Sequence, residues 1–182
     1  EVIVRLESPG GVVSGYGLAA AELMRIRNHG LKLTVCIDKI AASGGYLMAC
    51  VAHQIIAAPF AIIGSIGVIA QLPNFHRWLQ QHHIDYEQIT AGTYKRTLTV
   101  FGENTPEKRA KMQEDLESIH TAFQQHVINY RPQLNLAKVA TGEYWLASDA
   151  RALALVDDLA TSEDYLLQQM PKADIWHLEM VM

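Results

Sequence analysis

Apolar residues come first in short runs separated by glycine-containing turns, and only later at helical spacing. Val2-Ile3-Val4-Arg5-Leu6 reads as a mostly buried strand, broken by Ser8-Pro9-Gly10-Gly11, where two glycines allow backbone geometry closed to other residues. The pattern then predicts a helix from Ser14 to His29 with Gly30 as its stop. Leu33-Thr34-Val35-Cys36-Ile37 is a second buried strand, and Ala41-Ala42-Ser43-Gly44-Gly45 leads into an apolar helix over Tyr46 to Ala52. Further strands are expected at Gln54 to Ala57, Ile66 to Ala70 and Tyr86 to Ile89, with a helix from Asn74 to His82. Strand, turn and helix in repeated succession predict an α/β domain with a largely parallel sheet.

From Thr105 the period lengthens. A threonine N-cap followed by Pro106 opens a long helix whose apolar face is Met112, Leu116, Ile119, Phe123, Val127 and Tyr130, and Pro132 ends it. Shorter helical pieces follow near Leu136 to Ala140 and Ser148 to Leu153. The apolar run from Ile55 to Ile63 is too short for a membrane helix and contains Pro59, so the chain as given reads as soluble. It begins at Glu1, inside a strand and without an initiator methionine, which leads us to expect missing upstream residues, a stretch in which an anchor or targeting segment could lie.

At 182 residues, 49% hydrophobic and 19% charged, the chain suits one core and one domain over residues 1–182. The net charge of -4 is spread along the sequence without basic clusters, which speaks against a nucleic-acid partner. Cys36 and Cys50 lie in apolar surroundings at a spacing that matches no metal or disulfide framework, and read as two buried thiols.

Ser43, between Ala-Ala and Gly-Gly at a strand-to-helix junction, has two readings. It is either a nucleophile whose neighbouring N–H groups sit at a helix N-terminus, or an N-cap. The Gly-Gly turn at residues 10–11 presents a second N–H at a strand end, so Gly11 and Gly44 together suit an oxyanion hole. A serine needs a base. The eight histidines (29, 53, 76, 82, 83, 120, 126 and 177) fall mostly in helical or polar contexts, none in a glycine-rich loop beside an acidic partner. Lys95, in the loop Thr90-Ala91-Gly92-Thr93-Tyr94-Lys95, is the lysine candidate, with Lys39 a weaker one. A lysine acting as base must be neutral, which means lowering its pKa from about 10.4 to about 7 or 8. Ser65, in Gly64-Ser65-Ile66-Gly67, is placed to hold that amine by a hydrogen bond.

Taken together, Ser8-Pro9-Gly10-Gly11, Ala41-Ala42-Ser43-Gly44-Gly45-Tyr46, Gly64-Ser65-Ile66-Gly67-Val68 and Gly92-Thr93-Tyr94-Lys95 resemble the signal peptide peptidase A family, most closely its single-domain SohB branch. The resemblance covers about residues 1–160, with the order and spacing of the four motifs in register. It implies a ClpP/crotonase-like fold and peptide-bond hydrolysis by a Ser43–Lys95 dyad, with Ser65 as helper and no cofactor or metal. It also implies polypeptide substrates of the signal-peptide or membrane-associated kind. A homo-oligomeric ring or dome built partly by the segment 105–160 would follow, as would an upstream anchor in the bacterial inner membrane with the catalytic domain on the periplasmic side. Two departures stand out: His53 replaces a common aspartate, and Ala154 replaces a usual glycine. The tail after about Tyr165 matches nothing.

Two other classes compete with this reading. A crotonase-type acyl-CoA enzyme would use the glycine turns to hold a thioester oxyanion, but lacks a basic cluster for nucleotide phosphates and leaves Ser43 and Lys95 idle. A non-catalytic oligomeric scaffold for membrane proteins would keep Ser43 only as a cap.

Overall fold

The computed structural model describes residues 1–178, which divide into two compact units, one formed by residues 1–67 with the chain from 123 onward, the other by residues 68–122. The first unit holds all the strands. A four-stranded sheet is ordered β1 (Val2–Arg5), β2 (Leu33–Ile37), β4 (Gln54–Ala57) and β7 (Asp158–Leu159), and every pairing in it is parallel. A second sheet is ordered β3 (Ile40–Ala42), β5 (Ile62–Gly64) and β6 (Tyr144–Leu146), with β3 and β5 parallel and β6 antiparallel. The mixed α/β architecture with a largely parallel sheet is the expected one.

Parallel strands buried on both faces need continuous apolar runs, and β2 is buried at all five positions. Helix α1 (Val13–Asn28), which stops at Gly30 in the left-handed region (φ +75°), packs on β2 and on α2 (Gly44–Ala49), a short helix whose Tyr46 is fully buried and donates its hydroxyl to the Leu155 carbonyl, 2.9 Å. Later pieces are α5 (Leu136–Val139), α6 (Ala147–Ala152) and α7 (Ser162–Gln169), the last opened by a capping box between Thr161 and Asp164.

In the second unit α3 (His76–Gln81) is followed by irregular chain and by the start of α4 (Pro106–Tyr130). Thr105 caps α4 by accepting the Lys108 N–H on its hydroxyl (3.4 Å), as the Thr-Pro pair predicts. Of the expected apolar face, Phe123 and Val127 are buried in the first unit's core, whereas Met112, Leu116, Ile119 and Tyr130 are half-buried. No helix among the described residues is long and apolar enough to cross a membrane.

Two expected strands are absent. Residues 66–70 are irregular, because the strand lies earlier at Ile62–Gly64 and Ser65 turns into the left-handed region (φ +51°), while Ile66 is buried as a core anchor. Residues 86–89 form no strand either: Ile89 is 95% exposed and Tyr86 packs its ring on Phe101 instead of pairing its backbone. The short strands β3 and β6 escape the pattern because three residues give too little alternation to read.

Both departures from the expected motifs are accommodated locally. His53 Nδ1 accepts the Leu33 N–H (3.0 Å) while the His53 N–H donates to the Leu33 carbonyl (2.9 Å), the acceptor role a carboxylate would also fill. Ala154 sits in the left-handed region at φ +62°, and its carbonyl accepts from Arg131. Buried Arg131 also forms a bidentate pair with Asp157 (2.8 and 2.7 Å), whose Oδ2 accepts the Ile55 N–H. This carboxylate therefore ties the end of α4 to β4.

Relieving the left-handed alanine is expected to help: Ala154→Gly should raise stability by about 1 kcal/mol in urea unfolding. Burial, aided by the nearby Arg27 and Lys32 charges, lowers the His53 pKa below the ordinary histidine value. The unfolded chain therefore binds the proton first as pH falls. Stability is then complete above about pH 6.5 and is lost as pH falls through the lower folded value. His53→Asn, which keeps an acceptor without the titration, is expected to flatten that part of the stability profile.

Candidate active site

The register of β3 and β5 builds the site. Ala42 pairs with Gly64, so Ser43 and Ser65 leave the carboxyl ends of two adjacent parallel strands side by side. The Ser43 N–H donates to the Gly64 carbonyl at 2.8 Å. On the other side of β3, Ser8 bridges Ala41 in parallel: the Ser8 N–H donates to the Ile40 carbonyl (2.9 Å) and the Ala42 N–H to the Ser8 carbonyl (3.0 Å). Residues 8–11, 42–45 and 64–65 thus lie in one row at strand ends, where open α/β sheets bind ligands.

Ser43 lacks the geometry of a capping serine. Its backbone is at φ +52°, ψ -122°, a conformation that costs a non-glycine residue roughly 1–3 kcal/mol, and its side chain makes no capping hydrogen bond to α2. A serine serving as a cap would have an extended backbone and would bond the second or third helical N–H. Ser43 thus forms a sharp turn between β3 and α2 and leaves the helix N–H groups without a side-chain cap. The strain is braced at the far end of α2, where His126 Nε2 bonds the Leu47 carbonyl at 3.1 Å and the Arg27 guanidinium donates to the Val51 carbonyl.

The glycines stand where neighbours come too close for a β-carbon, backbone at residues 10 and 45 and an aromatic ring at residues 11 and 44. A β-carbon on Gly10 (φ +95°) would lie 2.7 Å from Ser43 Cβ and 2.8 Å from the Gly44 nitrogen, and one on Gly45 would collide with the Ser8 carbonyl. A β-carbon on Gly44 would lie 2.5 Å from Tyr16 Cγ, and one on Gly11 2.8 Å from Tyr16 Cε2. Gly11 and Gly44 therefore flank one aromatic ring. Tyr16 was not legible as a site residue, since it reads as one more position of a helix. The signal available was its place five residues after Gly11, one turn into α1.

Ser65, half-buried at φ +51°, donates its N–H to the Glu143 carbonyl at 2.6 Å. Lys95 belongs to the second unit, in a turn where its N–H donates to the Gly92 carbonyl (3.1 Å), and it is exposed. Lys39 forms an exposed ion pair with Glu7 at 3.2 Å. Histidine rings engage backbone at several places: His29 Nδ1 with the Arg25 carbonyl, His82 Nδ1 with the Trp78 carbonyl, and His53 and His126 as above. Cys36 and Cys50 are free and buried, and burial pushes their thiols up to about 11 and about 12, which keeps them protonated.

Residues 25–175 match the family model described as Peptidase family S49, and residues 1–23 match Peptidase family S49 N-terminal. The chain is 52% identical over 179 residues to the probable protease SohB of Haemophilus influenzae, covering 98% of this chain and 51% of that protein. It is 54% identical over 179 residues to the putative protease SohB of Buchnera aphidicola subsp. Baizongia pistaciae, again covering 98% and 51%. Protease 4 of Salmonella typhi is more distant, 28% identical over 98% of this chain and 29% of its own length. The chain thus spans about half the length of the SohB relatives.

The close approach at the strand ends sets a steric expectation. Gly10→Ala should destabilise the protein by about 2–4 kcal/mol in urea unfolding, combining overpacking against backbone with left-handed strain. Gly17→Ala, on α1 with nothing within 4 Å of the new carbon, is expected to stabilise by about 0.5–1 kcal/mol.

Proposed function

Since the chain belongs to peptidase family S49, we propose that it carries the catalytic centre of a serine endopeptidase, with Ser43 as nucleophile and Lys95 as general base. The observation that supports this most directly is the Ser43 backbone, held at φ +52° beside the Gly64 carbonyl with its side chain out of the cap position. Strain of this kind persists only where the surrounding structure maintains it.

On this reading Ser43 Oγ attacks a peptide carbonyl while the neutral Lys95 amine takes the hydroxyl proton. The N–H groups of Gly11 and Gly44 receive the negative charge that develops on the carbonyl oxygen, each such donor typically worth about 100- to 1,000-fold in rate. Collapse of the tetrahedral intermediate expels the amine, which takes its proton from Lys95. The freed lysine then activates water to hydrolyse the acyl-enzyme. Ser65 orients the lysine amine. Lys95 is exposed in the single chain, so the desolvation a neutral amine needs comes from the polypeptide that covers it. An apolar substrate segment, such as a signal peptide or part of a membrane-associated protein, supplies that cover better than a polar one. The same reading places the working enzyme at the bacterial envelope as a homo-oligomer.

Cleavage of an apolar signal-peptide-like substrate tests the dyad. Ser43→Ala is expected to lose turnover entirely and Lys95→Ala to lose about 100- to 10,000-fold, both with unchanged thermal unfolding. Near-normal turnover in either variant would sink the assignment, and turnover absent from the assembled wild type would favour the acyl-CoA or scaffold classes.

A further inference from the structure

We propose that Tyr16 is a positioning residue for the oxyanion hole, its hydroxyl fixing the direction of the Gly11 N–H; the proposal rests on the serine peptidase reading above. Three polar groups close a ring around it. The Gly10 N–H donates to Ser8 Oγ (3.2 Å), Ser8 Oγ lies 2.8 Å from the Tyr16 hydroxyl, and the Tyr16 hydroxyl donates to the Gly10 carbonyl (2.9 Å). The proton count gives the ring one direction. A backbone N–H can only donate and a carbonyl can only accept, so the single Tyr16 proton goes to Gly10 and the Ser8 hydroxyl donates to Tyr16.

The carbonyl of Gly10 and the N–H of Gly11 belong to one peptide group, planar and trans, so they point in opposite directions. Holding the carbonyl oxygen therefore aims the N–H. Such a hold is needed here more than elsewhere, because a peptide between two glycines has no β-carbon on either side to oppose its rotation. A flipped peptide would present a carbonyl oxygen where the oxyanion needs a donor, turning stabilisation into repulsion.

The Tyr16 ring does a second job. It lies against Gly11 and against Gly44, so one side chain of α1 spaces both proposed donors. Its hydroxyl sets the orientation of one donor, and its ring sets the distance to the other. Tyr16 does not reach the reacting atoms in this scheme; it acts through the two backbone amides.

The test compares wild type with Tyr16→Phe, Ser8→Ala and Ser43→Ala in the assembled protein, each checked for unchanged thermal unfolding. Steady-state cleavage of an apolar fluorogenic peptide is measured with two inhibition constants. One inhibitor is a peptide aldehyde, which forms a tetrahedral oxyanion on a serine; the other is the matching peptide alcohol, which does not. Tyr16→Phe keeps the ring and removes the latch, so kcat should fall about 10- to 100-fold with KM nearly unchanged. Aldehyde affinity should fall by a similar factor while alcohol affinity holds, a split that a general packing defect would not give. Ser8→Ala should move the same quantities in the same direction by less. Folded Tyr16→Phe with kcat within about twofold of wild type overturns the proposal. If Tyr16→Phe does not fold, an unchanged kcat in Ser8→Ala overturns it. Turnover persisting in Ser43→Ala overturns the peptidase reading itself, and the proposal with it; loss in Ser43→Ala with normal Tyr16→Phe removes only the latch.

Discussion

Everything at the carboxyl ends of β3 and β5 depends on main chain approaching main chain at separations a β-carbon would block. Gly10 faces Ser43 and the Gly44 nitrogen, and Gly45 faces the Ser8 carbonyl. These contacts let three strand-end loops lie in one row, so their N–H groups and hydroxyls share a small volume. A single methyl group at residue 10 or 45 would push the row apart, and no repacking of side chains relieves a clash with backbone.

Such an arrangement stores strain, and the surrounding fold holds it. Ser43 and Ser65 are both in the left-handed half of backbone space, one peptide from a shared hydrogen bond at Gly64. Behind them the carbonyls at the end of α2 are bonded by His126 and Arg27, and Tyr46 is pinned to Leu155 through the core. Arg131 and Asp157 fasten α4 to β4 in turn. Removing Asp157 would leave the buried Arg131 guanidinium without its carboxylate, so the brace depends on that one partner. Rigidity at the Ser43 turn is therefore a property of the whole first unit.

Much of this was legible from residues 1–57, where buried parallel strands give unbroken apolar runs and glycines mark the turns. The three motifs Ser8-Pro9-Gly10-Gly11, Ala42-Ser43-Gly44 and Gly64-Ser65 could be picked out, and the structure brings them together. What could not be read was the pairing that joins them, since β3, β5 and β6 are three residues each and set by tertiary register. The same limit misplaced a strand at 66–70: Ile66 is apolar because it anchors the core, not because it alternates in a sheet. Tyr16 escaped notice because its importance comes from what it touches across a turn. Nothing in its own spacing distinguishes it from other residues of α1.

The two thiols carry a consequence of another kind. Cys36 is in β2 and Cys50 ends α2, both inside the core and both protonated. No covalent crosslink holds these two residues, and neither thiol offers the thiolate that exchange or oxidation requires. The first unit therefore reaches the same covalent state whether glutathione keeps its surroundings reducing or a membrane-side oxidase keeps them oxidising. Its described residues are held by packing, hydrogen bonds and ion pairs such as Arg131–Asp157, none of which depends on thiol chemistry, so a change of redox surroundings leaves the turn at Ser43 as it is.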